Sequence, residues 1–177
     1  MRHAISWYKK GKTIRVSDKM QKGYSYTLDA GYGNLTDPDF RPELSPMEML
    51  QKGVFEGKYL TDCQDEFPRE WFQKGKMTTD GQPHIELNYF KIKSRQSLQE
   101  WRRKRWIIEP DVRGWFQWYC RYYVGRRIPD IDKIQIKRWR AFARHKAQVV
   151  KNCTKKDLSC RPRQRQGLLQ WAYNPFF

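Results

Sequence analysis

Three groups of side chains in this sequence have the types and spacing to do chemistry. The largest is cationic. Arg102, Arg103 and Arg105 stand just ahead of Trp106, and Arg121, Arg126 and Arg127 surround the end of an aromatic stretch. Lys137, Arg138, Arg140 and Arg144 follow, and Arg161, Arg163 and Arg165 alternate with other residues. Guanidinium makes forked hydrogen bonds to phosphate and stacks on flat rings, whereas ammonium acts as a point charge. These side chains are therefore the expected nucleic-acid contacts. The second group is acidic: Asp62, Asp65 and Glu66, close behind Lys58. A carboxylate in a basic cleft can act as general base or hold a metal, with Lys58 and Arg127 as electrophilic support. It can equally be an ion-pair partner for arginine, and the ion-pair role is the favoured one.

The third group is Cys63, Cys120, Cys153 and Cys160, with His145 near the last pair. There is no Cys-x-x-Cys, and the separation of Cys153 from Cys160 is unlike the short ligand spacing of zinc sites. Reduced thiols are expected, with Cys120 buried as a small hydrophobe, and no metal or other cofactor is expected. The chain has no phosphate-binding P-loop, no dinucleotide glycine fingerprint and no Gly-x-Ser-x-Gly elbow. That leaves ATP-driven, hydride-transfer and serine-hydrolase chemistry without support.

The elements that must position these groups are punctuated clearly in the C-terminal two thirds. Ser45-Pro46-Met47-Glu48 is a capping box with Pro in the first turn, and the helix it opens should stop at Gly53. Pro68 opens another, through Trp71 and Phe72 to Gly75. An extended piece is expected around residues 84–91. Ser97 and Glu100 form a second capping box ahead of a helix to about Arg105. Asp111 is the expected cap of a helix over residues 111–124 in which Trp115, Trp118, Tyr119 and Tyr122 share one face. Gly114 would then lie inside it, and Gly125 would end it.

Pro129 opens the longest helix, to about Val150, with Ile131, Ile134, Phe142 and Val149 on its apolar side. A last helix starts near Pro162. Arg163 and Arg165 in its first turn oppose the helix dipole unless an anion neutralises them. The first 43 residues read as an extended arm, with strands at residues 5–9 and 13–16 flanking a turn at Gly11. The expected fold is mainly α, a compact single domain of five to six helices behind this short β-hairpin.

The 177 residues carry 36 Lys and Arg against 19 Asp and Glu, a formal net charge of +17. Nearly all of the excess lies beyond residue 100, together with six of the eight Trp. Aromatic residues make up 15% of the chain, so it can bury a core despite a mean hydropathy of −0.98. No apolar run is long enough for a membrane span, and residues 1–10 do not read as a signal peptide, so a cytoplasmic location is expected.

Several stretches occur together in this chain: Leu44 to Leu50, Gly53 to Tyr59, Gly114-Trp115-Phe116-Gln117-Trp118-Tyr119-Cys120-Arg121-Tyr122-Tyr123, Gly125-Arg126-Arg127, Gln135 to Trp139, and Cys160 to Gln166. In these the chain resembles a widespread family of small microbial and phage proteins, from about Leu44 to Tyr173. Glu56 stands where the family pattern has Gly. The resemblance implies a single-domain fold and no mechanism.

The leading expectation is a nucleic-acid-binding protein, for DNA or RNA, with an arginine-rich face and rim aromatics. One alternative is a small enzyme acting on nucleic acid or nucleotides, with Asp62, Asp65 and Glu66 in its site. Another is a phage-encoded module whose basic face meets an acidic protein.

Overall fold

The computed structural model describes residues 2–177. Two strands, β1 (Thr13–Ser17) and β2 (Lys22–Thr27), form an antiparallel hairpin. Six helices follow: α1 (Pro46–Lys52), α2 (Glu70–Gln73), α3 (Leu98–Arg103), α4 (Trp115–Val124), α5 (Pro129–Asn152) and α6 (Pro162–Gln170). Helical residues, short 3-10 turns included, make up 41% of the chain and strand 7%. Long irregular segments join the elements.

The hairpin is not the pair expected from the sequence. Residues Ile5–Trp7 form a 3-10 turn, and Thr13–Ser17 pairs forward with Lys22–Thr27. The reversal is held by Asp18, whose Oδ1 accepts from the amides of Met20 (2.7 Å) and Gln21 (2.9 Å). An Asp at this position offers the chain a turn of its own making. The turn at Gly11 forms as well, with the Lys12 amide donating to the Lys9 carbonyl at 3.1 Å, but no strand precedes it among the described residues. Nor does this region behave as an arm. Ile14, Val16, Tyr26 and Leu28 are buried in the same hydrophobic cluster as the helices.

α1 has its full capping box. Ser45 Oγ accepts from the Glu48 amide, and the Glu48 carboxylate accepts from the Ser45 amide at 2.7 Å. At α3 only half of the box forms, because the Glu100 carboxylate turns to Arg103 instead. The expected extended piece around residues 84–91 is an irregular segment with a 3-10 turn at Ile85–Leu87.

α4 is the centre of the molecule. All of its residues except Tyr123 are buried, Gln117 and Arg121 included. It begins at Trp115 rather than at residue 111, and Gly114 is its N-cap at φ +91. Asp111 does not cap it. Its carboxylate is fully buried and takes hydrogen bonds from Arg121 Nη1 (3.1 Å) and Arg126 Nη2 (2.7 Å). At the other end Gly125 adopts φ +122, where a Cβ would lie 2.1 Å from the carbonyl oxygen of Ala30. Only glycine lets the chain turn there with the Ala30 segment against it.

α5 packs Ile136, Trp139 and Val149 inward, while Ile134, expected on its apolar side, is 46% exposed. Its first turn holds Asp130 and Asp132, which complement the helix dipole. Burial raises the pKa of Asp132 despite hydrogen bonds from Trp118 Nε1 and the Ile128 amide. Among the described residues no helix is long and apolar enough to cross a membrane.

The expectation of reduced thiols fails for one pair. Cys153 and Cys160 form a disulfide that joins the end of α5 to the start of α6. Cys63 and Cys120 are free and buried, and desolvation pushes both thiols up. Neither is a reactive nucleophile.

Candidate nucleic-acid interface

The arginines predicted from sequence divide into two populations, and only one can meet a ligand. Arg121 is fully buried on α4. Its Nε and Nη2 reach the two oxygens of Glu66 at 2.6 and 3.1 Å, and its Nη1 reaches Asp111. Arg126 closes the network through Asp111. Burial works to lower the pKa of Arg121, but the Glu66 charge and hydrogen bond outweigh it and raise the value.

Arg165 is also fully buried, and it bonds backbone carbonyls: Cys160 O and Asp157 O at 2.9 Å, together with Pro175 O. Arg121, Arg126 and Arg165 all belong to the set that the sequence assigns to nucleic acid. They cannot serve there, because every one is below the surface and already bonded. The misfit of Arg165 with the α6 dipole is answered by carbonyl oxygens of its own chain rather than by an anion.

Arg127 is half-buried, 3.7 Å over the Tyr122 ring, with Nη1 donating to Tyr122 O and Arg126 O. Arg140 points to Asp39 at 3.3 Å, and Arg103 is paired with Glu100, whose pKa falls to about 2 chiefly through that hydrogen bond.

Three of the remaining cations, Arg138, Arg144 and Arg163, line a groove of about 700 Å³ bounded by α3, α5, α6 and the segment before α3. One wall is a run of rings. Trp115 stacks on Trp171 (4.6 Å), Trp171 on Phe142 (4.9 Å, 9° between planes), and Phe142 meets His145 at 4.4 Å. Trp101, Trp106 and Ile107 line it as well. Gly114 admits Trp101 and Ile107 close to the start of α4. A Cβ there would crowd Ile107 and Trp101 at 3.3–3.4 Å, in a backbone region that side chains rarely adopt. Arg138 donates from Nη1 to the Trp106 carbonyl at 2.8 Å and so fixes the backbone that carries the ring.

Lys93, Arg95, Arg138, Arg144 and Arg163 supply the charge of the groove, and none of the described residues lining it is Asp or Glu. Arg95 is committed to the buried Glu56 at 2.7 Å. Glu56 lies at φ +57, a left-handed conformation that favours glycine. Lys93, Arg144 and Arg163 have no carboxylate in ion-pair range among the described residues. Desolvation, reinforced by the Arg144 charge, lowers the His145 pKa. Arg138, Arg144 and Arg163 thus come together from the predicted set. Arg102, Arg105, Lys137 and Arg161 are exposed but do not line the groove. Sequence reasoning misses Lys93, Arg95 and His145 as members. The alternation of Lys91, Lys93 and Arg95 is the one signal that could have found two of them.

The acidic segment has a different fate. Asp62, Asp65 and Glu66 line a second depression of about 600 Å³ beside the hairpin. Glu66 is buried under Arg121 and also accepts from Tyr26 OH at 2.8 Å. Asp62 pairs with Arg113 at 3.2 Å, and the same guanidinium holds Asp18 at 3.0 Å. Burial tends to raise the Asp18 carboxyl, but the Arg113 hydrogen bond and two backbone amides bring it below its ordinary value. Asp65 lies 3.6 Å from Arg2. The expected catalytic carboxylates therefore serve as ion-pair partners, and Glu66 is closed to any substrate. Among the described residues no group of three or more His, Cys, Asp and Glu side chains could hold a metal ion. Compared with known proteins, the chain matches no family model, no curated protein and no solved structure.

Proposed function

We propose that this protein binds nucleic acid in the groove between α3, α5 and α6. The observation that carries the reading is the convergence of cations from three separate chain segments on an aromatic-walled cleft that no Asp or Glu among the described residues lines. Lys93, Arg144 and Arg163 hold phosphates, and Arg138 supports them from within the wall. Arg102, Arg105, Lys137 and Arg161 extend the basic surface outward, where contacts position the polymer without reading its sequence. The basic balance of the chain draws the polyanion in, and affinity falls steeply with salt as counterions are released. A cytoplasmic location, with the nucleic acid, belongs to this reading, although a disulfide such as Cys153–Cys160 is rare in a reducing compartment.

Fluorescence anisotropy with a labelled oligonucleotide over a salt series tests it. Arg144→Ala combined with Arg163→Ala should weaken binding and flatten the log–log salt slope by roughly 0.7–0.9 for each phosphate the double variant no longer neutralises. No binding at low salt removes the proposal. Equal competition by polyglutamate transfers it to an acidic protein partner.

A further inference from the structure

We infer that the groove receives an unpaired nucleobase, so that the protein prefers single-stranded nucleic acid to duplex. The inference rests on the nucleic-acid reading and adds the form of the ligand. A duplex keeps its base faces stacked and offers phosphates along a convex rod. Here the cations surround a concavity with aromatic walls, and its volume of about 700 Å³ suits a nucleotide-sized ligand. Base–ring stacking needs a free π-face, which only an unpaired base presents.

Trp106 gives the inference its anchor. It lines the groove and is 45% exposed, while most large rings of this chain are packed away. Lys104 Nζ lies 4.8 Å over one face of its ring, where it also pairs with Glu100 and donates to Gln96, so a base would stack on the other face. The cleft is set before any ligand arrives, since Arg138 anchors the Trp106 backbone and Gly114 admits Trp101. The polar lining is largely spent inside the protein. Gln170 donates to Ser94 O at 2.9 Å and accepts from the Phe55 amide, Ser94 Oγ donates to Arg163 O, and Gln96 accepts from Lys104. With few free groups to read a base edge, the groove grips by stacking and charge, and sequence preference is weak.

The test compares three probes of equal length by anisotropy: oligothymidylate, the same strand with abasic sites throughout, and a duplex. Oligothymidylate should bind at least tenfold more tightly than either of the others. Trp106→Ala should weaken it by roughly 5- to 150-fold with an unchanged salt slope, and Trp106→Phe should restore most of the loss. Because Trp106 is exposed, circular dichroism should show both variants folded. If abasic strand or duplex binds as tightly as oligothymidylate, or if Trp106→Ala binds normally, the inference is overturned while nucleic-acid binding stands. If no probe binds at low salt, both fall together.

Discussion

Arginine does three different jobs in this chain, and surroundings rather than residue type assign them. Arg121 and Arg126 neutralise Glu66 and Asp111 in the interior. Arg165 gathers carbonyl oxygens where the chain folds back on α6. Arg144 and Arg163 face the groove. Removing one partner of a buried pair leaves the other charge uncompensated. Arg121→Ala should therefore cost about 3–5 kcal/mol, read from urea denaturation. Arg144→Ala, which breaks no such pair, should stay within about 0.5 kcal/mol of the parent while losing affinity. A chain in which both substitutions had equal effects on stability would contradict this division. From sequence, the two kinds of arginine look alike. Asp111 and Glu66 lie 10 and 55 residues from Arg121, so no local pattern announces the pairing.

At the scale of elements, local signals succeed where side chain and backbone are near neighbours. The Ser45 box, Pro129 at the start of α5 and the stop at Gly125 all depend on groups within a few residues of one another, and all form. Signals fail where another partner competes. Glu100 prefers Arg103 to its own helix start, and Asp111 leaves its cap for Arg121 and Arg126. Gly125 is where a local rule and a tertiary contact coincide. Its φ is one that side chains rarely adopt, and the Ala30 carbonyl oxygen stands 2.1 Å from where a methyl group would project. Backbone strain alone costs about 1–3 kcal/mol for a non-glycine residue there. Gly125→Ala should exceed that range in chemical denaturation. A loss below about 1 kcal/mol would mean that the α4 end and the Ala30 segment can separate without penalty.

For the whole molecule, the charge of +17 is both a steering field and a source of self-repulsion. Moderate salt should raise the melting temperature of the free protein by screening that repulsion. Added oligonucleotide should raise it further at low salt by mass action, and less so as salt increases. Differential scanning fluorimetry over a salt-by-oligonucleotide grid checks both directions. An oligonucleotide shift that grows with salt would contradict binding through phosphates.

The sequence alone determined the approximate helical segments, the stops at Gly53 and Gly125, the aromatic wealth and the basic balance of the C-terminal part, because these follow from composition and from neighbours a turn apart. Tertiary structure decided the rest. It moved the hairpin pairing from residues 5–9 to Lys22–Thr27, bridged Cys153 to Cys160, and buried Arg121, Arg126 and Arg165. It also brought Lys93, Arg144 and Arg163 to one aromatic cleft. The physical reason is the same throughout. Whether a charge is spent inside or offered to a ligand depends on which distant groups folding places within a few ångströms of it.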